Sequence, residues 1–217
     1  MFKALLVFCC LISGLVLAQE TPLPSDEAQS APPQPAAPPA PALDNVVIHT
    51  AMGDIAVALE KDRAPITVKN FLHYVDTKRF DGCNFYRAVA IGDEGKYGML
   101  QGGPRADPKK VFAPIAHESP LATGLSHVDG AISMARLAPG TAKAEFFIVM
   151  GNLTALDGKP DGTDPGYAVF GHVTSGMDVV HKIMGLPRDP VAGKESGMVG
   201  QMLAQPVKIL TVRREAK

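Results

Sequence analysis

Between Asp44 and Val212 most of the apolar residues arrive in runs too short to make helices, each cut off by a cluster of Gly, Pro or Asp. Val46, Ile48 and Thr50 alternate with other residues, Gly53-Asp54 supplies a turn, and Ile55, Val57 and Leu59 alternate again, which is the pattern of a β-hairpin. Further β-like runs stand at Phe85 to Val89, Ala131 to Met134, Phe146 to Met150, Ala168 to Val173 and Val207 to Val212. Many short strands with turn signals between them must close on each other or stack, so the expected class is mainly β, a barrel or a sandwich. Helical spacing occurs twice. After Pro65, Val68, Phe71, Leu72 and Val75 share one face of a helix ending near Lys78, and Met177, Val180 and Met184 mark a shorter one before the irregular segment 185–200. No internal repeat is visible.

The first residues have a different character. Lys3 precedes an apolar run from Ala4 to Leu17, and small Ala18 follows, the pattern of a secretory leader at 1–18 cleaved after Ala18. The run is shorter than the roughly 20 apolar residues that span a bilayer comfortably, so an uncleaved anchor is the alternative reading. Cys9 and Cys10 lie inside the leader, and bulky Phe8 argues against lipid attachment there. Cys83 is then the only thiol of the mature chain; no internal disulfide can form, and Cys83 reads as a small core residue. Residues 19–43 form a Pro/Ala-rich tract with too few large apolar groups to fold, expected to be an extended spacer or disordered tail. The folded domain is expected at 44–217, in the bacterial periplasm.

A formal net charge of -1, with no long basic run, gives no reason to expect nucleic acid or an anionic membrane as partner. There is no G-x-S-x-G elbow, C-x-x-C pair, H-E-x-x-H or P-loop. The histidines, His49, His73, His117, His127, His172 and His181, lack close ligand spacing and read as surface or core residues rather than metal ligands.

An ordered series of segments carries more information than any one of them. Phe85-Tyr86-Arg87, Met99-Leu100-Gln101-Gly102-Gly103, Ile132-Ser133-Met134-Ala135-Arg136, Glu145-Phe146-Phe147-Ile148, Leu156-Asp157-Gly158 and Tyr167-Ala168-Val169-Phe170-Gly171 together resemble the cyclophilin-type peptidyl-prolyl cis-trans isomerases, from Asp44 to Val212. The Met-Ala-Arg triplet and the run from Gly166 to Phe170 look closest to the bacterial periplasmic branch. The resemblance implies a closed eight-stranded antiparallel β-barrel capped by two α-helices, acting on X-Pro bonds without cofactor or metal. It implies that Arg87 is the catalytic donor, that Met99, Phe147 and Leu156 line a proline socket, that Gln101 and the backbone around Ala135 and Arg136 hold the flanking peptide, and that Tyr167 closes the pocket. Spacing alone reads Phe147 as core and Arg87 as a solvated charge.

Three departures from the family pattern stand out. The loop from Arg87 to Gln101 is long against the family pattern, with Gly92-Asp93-Glu94-Gly95-Lys96 as an insertion and Gly98 where an aromatic is expected, for which Tyr97 is a substitute. Glu145 replaces a glutamine and is expected to pair with Arg87 or Arg136 across the groove. Ala155 takes the place of the tryptophan that helps many eukaryotic members bind cyclosporin, so weak cyclosporin binding at most is expected. The expected partners are proline-containing polypeptides, with the protein a monomer and not held in a membrane once its leader is removed. The rival reading is a proline-binding chaperone or weakly active pseudoenzyme.

Overall fold

The computed structural model describes residues 43–92, 95–105 and 107–215. The leader at 1–18 and, apart from residue 43, the Pro/Ala tract lie outside them. Eight strands close into one barrel: β1 (Asp44–Thr50), β2 (Gly53–Leu59), β3 (Asn84–Ile91), β4 (Tyr97–Gly103), β5 (Ala131–Met134), β6 (Phe146–Met150), β7 (Val169–Ser175) and β8 (Met202–Arg214). They run β1-β2-β7-β5-β6-β4-β3-β8 around the wall, every pairing antiparallel. Closure leaves no strand edge open for pairing with another chain.

Side chains alternate across the wall, and one row shows the inward direction. Ala88, Leu100, Ile148 and Ile132 follow each other in register across β3, β4, β6 and β5, and all are buried. An aromatic cluster is packed among these aliphatic side chains: Phe146 lies edge-on to Phe71, Phe80 and Phe85 at centroid distances of 5.6, 5.5 and 5.8 Å. The barrel is therefore a packed core rather than a channel.

Helix α1 (Pro65–Asp76) buries Val68, Phe71, Leu72 and Val75, the face expected from their spacing, buries Tyr74 as well, and sends Phe71 against Phe146 and Phe170. It stops two residues earlier than expected because Thr77 is the cap and Lys78 turns left-handed (φ 57°). Its N-cap, Ala64, has no side-chain acceptor. Glu118, far along the chain, supplies one instead: Oε1 accepts from Ile66 N (3.0 Å), and Oε2 from Thr67 N and Thr67 Oγ1 (2.7 Å each). At the other end of the barrel α3 (Met177–Met184) buries Val179, Val180, Ile183 and Met184. A third, one-turn helix, α2 (Pro120–Thr123), is capped by the Ser119 hydroxyl and stopped by left-handed Gly124, and adds to the two helices expected. Among the described residues no helix is long and apolar enough to cross a membrane.

Strand β4 is absent from the apolar pattern because glycines occupy it. A Cβ on Gly98 would stand 2.2 Å from the Val89 carbonyl oxygen, and one on Gly102 2.7 Å from the Phe85 ring. Where an aromatic was expected at position 98 there is no space for any side chain. Strand β8 is longer than the expected Val207–Val212 because its first residues, Met202 to Pro206, run past a break in the β3–β8 register, where Phe85 pairs with Val207 but Arg87 with Met202.

Candidate active site

The outward row of the same four strands carries the candidate site. Arg87 on β3 is in register with Gln101 on β4, Gln101 with Phe147 on β6, and Phe147 with Ser133 on β5. Partners directly opposite in an antiparallel ladder point to one face, so these side chains form a line on the outside of the barrel. Met99, two residues before Gln101, extends it, with Tyr97 beyond on the same face of β4. Glu145 precedes Phe147 by two and shares its side, with a carboxylate oxygen packed over Gly103.

Arg87 is half-buried and held from two sides. Its Nε and Nη2 donate to Gln201 Oε1 at 2.8 and 2.5 Å, and Nη1 donates to Gln101 Oε1 at 2.9 Å. Gln201 sits just before β8, and its backbone carbonyl accepts from Ala88 N at 2.8 Å, which fastens that segment to β3. A guanidinium has five N–H groups, so two of Arg87's, one on each Nη, have no partner among the described residues. Burial lowers the pKa of the guanidinium, opposed by the nearby Tyr86 and Tyr167, and the group stays charged.

Phe147 points outward yet is only 2% exposed, because two rings cover it. His127 stacks on it at 5.8 Å and Tyr167 meets it edge-on at 5.8 Å. His127 is fully buried, with Nδ1 on Asp157 Oδ1 (2.6 Å) and Nε2 on Ser133 Oγ (3.0 Å). Burial lowers its pKa, and Asp157 works in the opposite direction. The imidazole thus packs flat against one face of Phe147. Leu156, in a single 3-10 turn (Thr154–Leu156), accepts from Tyr167 N through its carbonyl at 3.0 Å. The Arg136 guanidinium lies over the Tyr167 ring, 4.6 Å from its centroid, and donates to the Gly166 carbonyl.

Every expected residue therefore falls on one connected patch, with three adjustments. Arg136 is spent on the loop before β7, with Asp164 3.6 Å from its Nη2. The Ala135 N–H is committed to the Glu145 carbonyl (2.8 Å), so that backbone donor is not available to a peptide. Glu145 Oε2 accepts from the Tyr86 hydroxyl at 2.7 Å, a contact beyond the expected pairing with Arg87 or Arg136. Spacing holds no sign of Gln201, which lies 114 residues from Arg87, or of the pairing of buried His127 with half-buried Asp157. Two surface hollows of about 560 and 550 Å³ lie elsewhere, one between β1 and α1 and one beside α3.

Comparison with known proteins gives a consistent result. Residues 45–214 match the family described as "Cyclophilin type peptidyl-prolyl cis-trans isomerase/CLD". A peptidyl-prolyl cis-trans isomerase of Acinetobacter baylyi is 36% identical over 79% of this chain and 87% of its own length. Peptidyl-prolyl cis-trans isomerase B of Escherichia coli is 37% identical over 70% of this chain and 88% of its own. Among solved structures, a cyclophilin type isomerase of Cryptosporidium parvum superposes with a TM-score of 0.65 at 20% identity, covering 81% of this chain and 99% of that one. A second structure of that protein, in the presence of the dipeptide Ala-Pro, gives 0.63.

Proposed function

Because the chain belongs to the cyclophilin-type family of peptidyl-prolyl cis-trans isomerases, we propose that its isomerisation of X-Pro bonds is carried by the Arg87 guanidinium beside the apolar surface of Met99, Phe147 and Leu156. The X-Pro amide resists rotation because the nitrogen lone pair is delocalised into the carbonyl, a barrier of about 18–20 kcal/mol for peptide bonds in general. As the bond twists, the nitrogen becomes pyramidal and its lone pair localises. A donor held at that nitrogen binds the twisted form better than the planar one and so lowers the barrier.

The observation that carries this reading is the state of Arg87. Three of its N–H groups are used to hold it still, and two remain for a substrate. The apolar residues anchor the proline ring by burial while the chain on the other side of the bond turns. Tyr167 closes the far end of the socket over Phe147. A structural neighbour solved in the presence of Ala-Pro supports proline-containing peptides as the ligand class. The leader pattern at 1–18 supports exported polypeptides as clients, with the bacterial periplasm as the compartment.

The test is isomerisation of an X-Pro peptide followed by protease coupling or fluorescence. Arg87→Ala should lower kcat/KM by about 100-fold or more, the scale of losing a transition-state donor, with circular dichroism unchanged. Retention of most of the rate refutes the assignment. Peptide binding without acceleration in the native protein supports a proline-binding chaperone instead.

A further inference from the structure

The register of β3 against β4 slips by one residue beside the site. Phe85 pairs with Gly102 and Arg87 with Gln101, so Tyr86 is the unpaired residue of a β-bulge. The bulge lets two chain neighbours reach the same outward side chain. Arg87 donates to one end of the Gln101 amide (Nη1 to Oε1, 2.9 Å), and the other end donates to Tyr86 (Nε2 to the hydroxyl oxygen, 2.8 Å). The Tyr86 hydroxyl in turn donates to Glu145 Oε2 at 2.7 Å.

We propose that Tyr86 and Glu145 are positioning residues for Arg87, acting through the side-chain amide of Gln101; the proposal rests on Arg87 being the catalytic donor. The direction of each bond follows from chemistry. A carboxylate only accepts, so the single hydroxyl proton of Tyr86 goes to Glu145. The hydroxyl oxygen can then only accept from Gln101, which selects the NH₂ end of the amide. The carbonyl end is thereby turned to Arg87. With Glu145 or the hydroxyl removed, the amide loses its second anchor and only Arg87, itself part of the site, is left to favour the carbonyl-facing orientation over a reversed one that sets N–H against guanidinium N–H. Gln101 is 9% exposed and Tyr86 7%, so water competes poorly for these bonds. Burial, reinforced by Glu145, raises the Tyr86 pKa and keeps the hydroxyl protonated as a donor.

The experiment is a double-mutant cycle on the whole protein. Tyr86→Phe should lower kcat about tenfold, the scale of losing one oriented hydrogen bond, with KM within about twofold. In the Gln101→Ala background the same substitution should cost less than about twofold, because the amide it orients is gone. Equal losses in both backgrounds would mean a general structural role and overturn the proposal. Glu145→Leu, run through the same two backgrounds, reads the coupling from the other end should Tyr86→Phe fold poorly. Glu145→Gln, which keeps an acceptor oxygen, should stay within about twofold of wild type. Arg87→Ala is measured alongside. If it loses most of the rate while Tyr86→Phe and Glu145→Leu lose none, the positioning pair is wrong and the Arg87 reading stands; if Arg87→Ala keeps the rate, the fault lies with the reading itself.

Discussion

Helix α1 begins at Pro65 after an alanine cap, and its first amides are satisfied by a carboxylate that arrives from residue 118. The perturbation is Glu118→Ala. It removes acceptors from two backbone N–H groups and from the buried Thr67 hydroxyl, at 3.0, 2.7 and 2.7 Å. Loss of a capping side chain costs about 0.5–2 kcal/mol, and loss of a negative charge at a helix N-terminus about 0.3–1 kcal/mol more. Two amides are capped rather than one, which places the expected total near the upper end, about 2–3 kcal/mol. For a domain of this size each kcal/mol lowers Tm by about 2–4 °C, so Glu118→Ala should melt about 4–12 °C below wild type. Glu118→Gln keeps an acceptor but not the charge and should fall between the two. Raising the salt concentration should narrow its gap to wild type, because the dipole interaction is screened. Thermal unfolding followed by circular dichroism reads all three. A Glu118→Ala protein melting within about 1 °C of wild type, or a Glu118→Gln protein as unstable as Glu118→Ala, refutes the capping role.

Phe146→Ala opens the centre of an aromatic cluster that includes Phe71, Phe80 and Phe85, and should cost about 3–5 kcal/mol in urea unfolding; a cost below about 1.5 kcal/mol would show that the lumen repacks. The folded-state pKa of His127 is depressed below 6.5, so the unfolded chain binds the extra proton first; stability should be full above pH 6.5 and decline as pH falls below it, and His127→Asn should flatten that slope. Asp81 and Asp76 are held below 3.8 by hydrogen bonds to Arg213 and Arg214; their modest contribution should persist above pH 3.8 and disappear as pH falls through their lower folded values, seen as a steeper acid limb in wild type than in Arg213→Ala. Ala155 is exposed at the rim beside Leu156, so cyclosporin should inhibit weakly and Ala155→Trp should strengthen it by about tenfold; a nanomolar inhibition constant for the native protein would contradict this.

Alternation and helical spacing disclose the elements that bury one face. The hairpin of β1 and β2 and the α1 residues Val68, Phe71, Leu72 and Val75 are legible because each apolar position follows from a single period. Strand β4 is not, since its sequence is dictated by close approach of neighbours rather than by burial of side chains. The candidate site residues are legible only through ordered motifs and not through period, as Arg87, Gln101 and Phe147 face outward, where alternation predicts polar and apolar alike. Gln201 and the bulge at Tyr86 stayed hidden because both arise from register slips, which no local pattern records. Glu145 shows the limit of reasoning by charge, which points to cations and gives no sign of the Tyr86 hydroxyl that donates to its Oε2.

The placement of Arg87, Gln101 and Phe147 on the convex wall of the barrel, and not in its lumen, has a bearing on what can be served. A tunnel or a deep cup accepts only loose ends or small molecules. An outer surface can be approached sideways by the middle of a long polymer, so a chain bound there would not have to be threaded.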